Sequence, residues 1–263
     1  MPDPRHLGIV ASTRRVRLIA RHTLDEALHG KVTSLLALTA VVLVGGSGGL
    51  QVFNFGATEL KFIADFGLGV IGVFGTFFAV LATMQLFFGD IAGGAIGGML
   101  ARPVRRWEYL AGKFVGAAGV LALFVAALLL VLGVVIARRE GQLHTSFVPL
   151  PVFLQAGALV WLQLTLVAAM TLLVCTYAGS ALFAGGASLL LALIGHLRAL
   201  ADSTGALAWL RVWPDLGLFD PDALLSAVGT PPGGWLPGLV VYWAAYVLLC
   251  HVAAAYVFQH REF

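Results

Sequence analysis

The chain has 263 residues, of which 60% are hydrophobic and 11% charged, with a formal net charge of +3 and a mean hydropathy of +0.94. An ordinary soluble domain carries roughly 25% charged residues, so this composition cannot cover a water-soluble fold with polar surface. It indicates a polytopic helical membrane protein, and the small positive charge gives no ground for a nucleic-acid partner.

The first patterned segment precedes any span. Val16, Ile19, Ala20, Ala27 and Leu28 share one helical stripe, with Leu24 beside it. Arg14, Arg17, Arg21, Asp25, Glu26 and His29 occupy the rest of the surface. A basic amphipathic helix of this kind lies in the headgroup plane with its arginines near lipid phosphates. Residues 1–31 are therefore expected to form a cytoplasmic membrane-surface helix, with Arg14, Arg17 and Arg21 facing membrane lipids. Both a topology anchor and a contact for a cytoplasmic partner are open to it. The opening MPDPRHLG and the position of the first apolar run do not fit a cleavable signal.

Apolar runs long enough to cross roughly 30 Å of hydrocarbon recur near residues 32–50, 66–88, 114–137, 152–176, 181–198 and 237–258. They are continuous rather than alternating, which favours helices over a barrel. The expected fold class is all-α: six transmembrane helices preceded by the amphipathic interfacial helix. The fifth run is the shortest and ends in His196 and Arg198. Cys175 and Cys250 both fall inside spans, so neither points to an extracytoplasmic disulfide.

Lysine and arginine set the orientation. Arg5, Arg14, Arg15, Arg17, Arg21 and Lys31 precede the first span; Arg102, Arg105, Arg106 and Lys113 lie in the second connection; Arg261 is in the tail. Against them stand Lys61, Arg138, Arg139, Arg198 and Arg211. The balance places both termini in the cytoplasm.

Of the outer connections, the last, residues 199–236, is the largest. Trp209, Trp213 and Trp235 there suit a membrane interface, and Pro214, Pro221, Pro231 and Pro232 punctuate short helical pieces. None of the connections is large enough for a separate domain, so residues 1–263 are expected to form one transmembrane domain. Gly93 and Gly97, then Gly112 and Gly116, repeat at four-residue spacing, the pattern that lets helix backbones approach closely.

No catalytic constellation or paired metal-ligand spacing is present, so neither a catalytic residue nor a metal site is expected, and no cofactor on this chain. His196 and His251 lie in spans without a visible carboxylate partner; Gln85, Gln155 and Gln163 add neutral hydrogen-bonding groups. Gln85, Gln163 and His251 are candidates for a translocation path. Ion-coupled carriers need a titratable group or ion ligand near midplane, and most acidic residues here fall in loops or at span boundaries. Energy for uphill movement would then come from a partner.

The second connection offers the docking point. Asp90 closes the second span, an Ala/Gly-rich stretch leads to Met99 and Leu100, and Arg102-Pro103-Val104-Arg105-Arg106 precedes Trp107-Glu108-Tyr109, with Gly112-Lys113 one turn on. A short helix stopped by proline can seat in a cleft of a soluble domain, with arginine forks for its carboxylates. The segment MLARPVRRWEYLAGKFVG resembles the hallmark of permease subunits of type-2 ABC exporters. Arg102, Pro103, the Arg105–Arg106 pair, Glu108, Gly112 and Lys113 match it; Asp90 stands where that family usually has glutamate, and Ala95 where it often has threonine. Pro214, Leu216 and Phe219 are similar to the family's Pro-x-Leu-x-x-Phe feature before the last span.

The resemblance implies a permease that pairs with a second copy or paralogue and receives two copies of a separate ABC ATPase subunit, which carries the ATP and magnesium. Residues 89–113 would be the coupling segment, with Asp90, Arg102, Pro103, Arg105, Arg106, Glu108 and Lys113 coupling to the ATPase and Glu108 also favouring the start of the third span through its dipole. An extracytoplasmic accessory protein is compatible with it. Two other readings compete: a membrane-embedded enzyme or assembly anchor working through residues 199–236, and an ion-coupled carrier.

Overall fold

The structure, a computed structural model, describes residues 4–28, 31–46, 59–93, 106–143, 150–204, 212–221 and 235–260. Among these residues the regular elements are all helical: α1 (Pro4–Leu28), α2 (Lys31–Gly46), α3 (Glu59–Ala92), α4 (Arg106–Leu143), α5 (Leu150–Tyr177), α6 (Ala181–Thr204), a 3-10 turn (Gly217–Phe219) and α7 (Trp235–His260). Five of them, α3 to α7, contain stretches long and apolar enough to cross a membrane. This is a multi-pass membrane protein.

The first expected span coincides with α2, whose 16 residues reach only about 24 Å. Its apolar part is Ala37–Gly46, and residues 47–50 lie outside the described set. By contrast, α3 and α4 run to 34 and 38 residues, or about 51 and 57 Å. Each exceeds the roughly 30 Å of hydrocarbon, so both project beyond it. The projecting charged end of α4 starts with Arg106, Glu108 and Lys113.

At the centre stands α5, which is apolar all round, as a helix enclosed by others must be. Its buried positions run from Ala156 to Thr176, and it packs on α3, α4, α6 and α7. Leu159, Leu164, Leu166 and Val167 fill the main core together with Ile63, Ile71, Leu128 and Leu132 from α3 and α4. A smaller core at the Asp90 end gathers Phe87, Tyr109, Leu110, Cys175 and Phe258. Outward-facing Leu130, Val134, Val241, Leu249 and Val252 are exposed, as residues solvated by lipid would be.

The apolar stripe of α1 packs on α4. Arg15 meets Glu108, Ile19 meets Gly112 and Thr23 meets Gly116, so the two helices advance side by side in the same direction. Gly112 and Gly116 make this possible. A Cβ on Gly116 would lie 2.5 Å from the Thr23 Cβ and 2.9 Å from the Ala20 carbonyl oxygen. The four-residue glycine spacing thus serves a contact within the chain. Gly97 lies outside the described residues.

Two inter-helix tryptophan hydrogen bonds fix neighbouring faces. The Trp161 indole N–H donates to the Ala118 carbonyl at 3.0 Å, and that of Trp243 to the Thr165 hydroxyl at 3.0 Å. Such bonds carry weight where hydrocarbon offers no alternative partner.

The described part of the last connection is tied down. Pro214, Leu216 and Phe219 are buried, and the Leu216 N–H donates to the Gly195 carbonyl of α6. Trp213, one of the tryptophans suited to a membrane interface, is half-buried, and its indole N–H donates to the Leu191 carbonyl at 3.0 Å. Tyr242 of α7 accepts from the Asp215 N–H at 2.8 Å and from Arg198 at 3.4 Å. Trp209 lies outside the described residues, as does the side chain of Trp235.

Candidate functional site

Residues 94–105, which include Arg102, Pro103 and Arg105, lie outside the described set. The residues flanking them are described, and they form a dense polar group. Arg106, Tyr109 and Lys113 fall on one face of α4 by their three- and four-residue spacing. Lys113 is 3% exposed and Asp90 5%. The Lys113 ammonium lies 2.9 Å from Asp90 Oδ2, donates to the Leu86 carbonyl at 3.0 Å, and reaches Glu26 Oε2 of α1 at 3.4 Å. The Tyr109 hydroxyl donates to Asp90 Oδ2 at 2.7 Å.

Each member satisfies another, which is what a buried ion pair requires. The pair therefore ties the end of α3 to the start of α4 and to α1. Glu108, 2% exposed and in the first turn of α4, accepts from Arg15 of α1 at 3.2 Å. Arg106 donates to the carbonyls of Phe258 and Gln259 at the end of α7, the latter at 3.0 Å, and its guanidinium lies 5.7 Å from the Phe258 ring centroid. Asp90, Arg106, Glu108 and Lys113 thus spend the contacts seen here inside the chain, on four different helices.

Arg15, Glu26 and Tyr109 complete this group, and reasoning from sequence did not single them out. A signal existed for Tyr109, one turn before Lys113 on the same helical face. For Arg15 and Glu26 the sequence gives only their position beside the apolar stripe of α1.

The three arginines expected at the membrane surface share one exposed side of α1. Arg14, Arg17 and Arg21 are exposed, whereas Arg15 is engaged with Glu108.

The three path candidates do not share one cavity. Gln163 is buried, and its amide nitrogen is 3.2 Å from the His196 Nε2. Both line a cavity of about 480 Å³ between α3, α5, α6 and the 3-10 turn, with Asp65, Gly72, Leu216 and Asp220. His251 instead lines a groove between α4 and α7; its Nδ1 is 2.8 Å from the Val247 carbonyl, and its ring meets Phe114 edge-on at 4.5 Å. Gln85 is half-buried on α3 and lines neither space.

A family model described as ABC-2 family transporter protein matches residues 20–197. The matched range begins in α1, takes in every contact of the ionic group except those to Arg15 and α7, and ends just past His196. No match was found among curated proteins.

Proposed function

This chain belongs to the ABC-2 family transporter proteins as a membrane transport component, and on that premise we propose that it is the permease subunit of an ATP-driven exporter. It works as a pair, with a second copy or a paralogue, and each permease receives one separate ATPase subunit that binds ATP and magnesium. Residues 89–113 are the coupling segment, at the cytoplasmic face of a bacterial or archaeal inner membrane, and both termini are cytoplasmic. The last outer connection serves the bundle rather than a separate activity.

One observation carries this reading. Both ends of this segment are locked into the bundle: Asp90 to Lys113 and Tyr109, and Arg106 and Glu108 to α7 and α1. A displacement of the segment bears on α3 and α4 together, because breaking the buried Asp90–Lys113 pair costs about 3–5 kcal/mol, and reaches α1 and α7 through the Arg15–Glu108 and Arg106 contacts. In this scheme Arg102, Pro103 and Arg105 face the ATPase, whereas Asp90, Arg106, Glu108 and Lys113 are positioning residues that hold the segment's ends. Transport then follows when nucleotide-driven closure of the ATPases tilts the two bundles against each other.

The cavity holding Gln163 and His196 lies at the opposite, outer end and suits the exit of the path. Its polar lining is the Gln163 amide, the His196 imidazole and the carboxylates of Asp65 and Asp220. Gentle detergent extraction of the chain from its native membrane tests the proposal. An ATPase chain should follow in stoichiometric amount; reproducible extraction of an active transport unit without one would overturn it.

A further inference from the structure

On α1, the arginines that touch α4 and those that do not differ in their chemistry. Arg15 is neutralised by Glu108. Arg17 and Arg21, one turn apart on the same face, are exposed and line a groove of about 780 Å³ between α1 and α4. The opposite wall is apolar: Trp107, Ala111 and Val115 follow one another at four-residue spacing along α4. Trp107 is 45% exposed and Val115 51%.

This stripe begins at the charged end of α4 and runs toward its membrane-spanning part. Past the same three residues, a second groove of about 500 Å³ continues between α4 and α7 along Phe114, Trp243 and Leu248. Two cations and one carboxylate, Asp25, at one edge, a half-exposed indole between, and two apolar furrows leading away are, with cations in excess, the complement of an amphiphile with an anionic head. Arginine suits a phosphate through its fork of donors, and an indole suits the headgroup boundary. The volume lies within the roughly 300–1,000 Å³ of ligand clefts.

We propose that this groove binds one anionic phospholipid from the leaflet at the Asp90 end. Its phosphate is held by Arg17 and Arg21, and its acyl chains straddle the Trp107–Ala111–Val115 ridge. The bound lipid would wedge the open side of the α1–α4 seam, which also carries the Arg15–Glu108 and Lys113–Glu26 contacts and the glycine notch. It would do so whichever ATPase or substrate the transporter uses, so the site stands apart from the proposed transport role.

The test uses the full chain in phosphatidylcholine vesicles containing brominated phosphatidylglycerol or, at the same fraction, brominated phosphatidylcholine. Quenching of Trp107 is obtained as the difference from Trp107→Phe. Two arginines near a surface are expected to favour the anionic lipid by about 30-fold. Arg17→Gln/Arg21→Gln, at exposed positions, should bring the two lipids to near parity. Ala111→Leu, which enlarges the ridge into both furrows without changing charge, should reduce quenching by both. Equal quenching by the two lipids in the unmodified chain, a preference that survives loss of both arginines, or full quenching in Ala111→Leu would overturn the proposal. So would shielding of Trp107 from both lipids, which would show a second copy or another protein in the groove.

Discussion

Gly112→Ala/Gly116→Ala should detach α1 from α4. An added Cβ at Gly116 stands 2.5 Å from the Thr23 Cβ, against 3.4 Å for ordinary contact, a shortfall of about 1 Å. At Gly112 the nearest atoms are the Ile19 Cβ and Cγ2, both at 2.7 Å. None of these is the far end of a flexible side chain, and the Ala20 carbonyl at 2.9 Å is backbone, so α1 must move away as a body. Overpacking of this kind costs about 1–3 kcal/mol per site. Alanine returns about 1 kcal/mol of helix propensity at each position. The net loss for the double variant is about 2 kcal/mol, taking both sites together. Hydrogen exchange of the amides in α1 should then quicken about 30-fold. Gly186→Ala on α6 is the control, since nothing lies within 4 Å of its added Cβ; it gains the same propensity with no clash and should leave α1 unchanged. Unaltered exchange in the double variant, or equal acceleration by Gly186→Ala, would refute the glycine-notch reasoning.

Two further outcomes follow from the polar contacts. Lys113→Met leaves Asp90 buried without its counter-charge and should cost about 3–5 kcal/mol in detergent unfolding, while Asp90→Asn/Lys113→Met should recover a large share; additive single and double losses would show that the 2.9 Å pair is not a coupled unit. Tyr242→Phe removes the acceptor for the Asp215 N–H and Arg198 and should loosen residues 212–221 by about 1–2 kcal/mol, read as faster exchange there with α5 unaffected.

The membrane class and the helix positions were legible because apolar runs of span length leave little choice in hydrocarbon. The stripe Val16-Ile19-Ala20-Leu24 was legible too, but not what it packs against. An amphipathic stripe needs only something apolar, and the sequence cannot distinguish a bilayer from the notch at Gly112 and Gly116. Trp213 shows the same ambiguity: an indole satisfies its N–H equally well at a wet interface or on the Leu191 carbonyl. Within the candidate site, Asp90 and Lys113 were visible as charges next to spans. Their pairing was hidden, because residues 23 positions apart in the chain meet only when α3 and α4 fold back on each other. The Arg15–Glu108 contact spans 93 positions and leaves no local pattern at all.

The account rests on force entering the bundle through residues 89–113 from a separate nucleotide-driven subunit. The direct measurement is ATP hydrolysis by the co-purified ATPase, reconstituted with the unmodified chain or with Arg102→Glu/Arg105→Glu. Arg106 is left intact because it holds the end of α7. Reversal of the two charges should leave membrane insertion and thermal unfolding unchanged while abolishing the chain's stimulation of the ATPase, by at least about tenfold if each lost contact contributes about 1 kcal/mol. Full stimulation by the reversed chain, with the two proteins still associated, would contradict it.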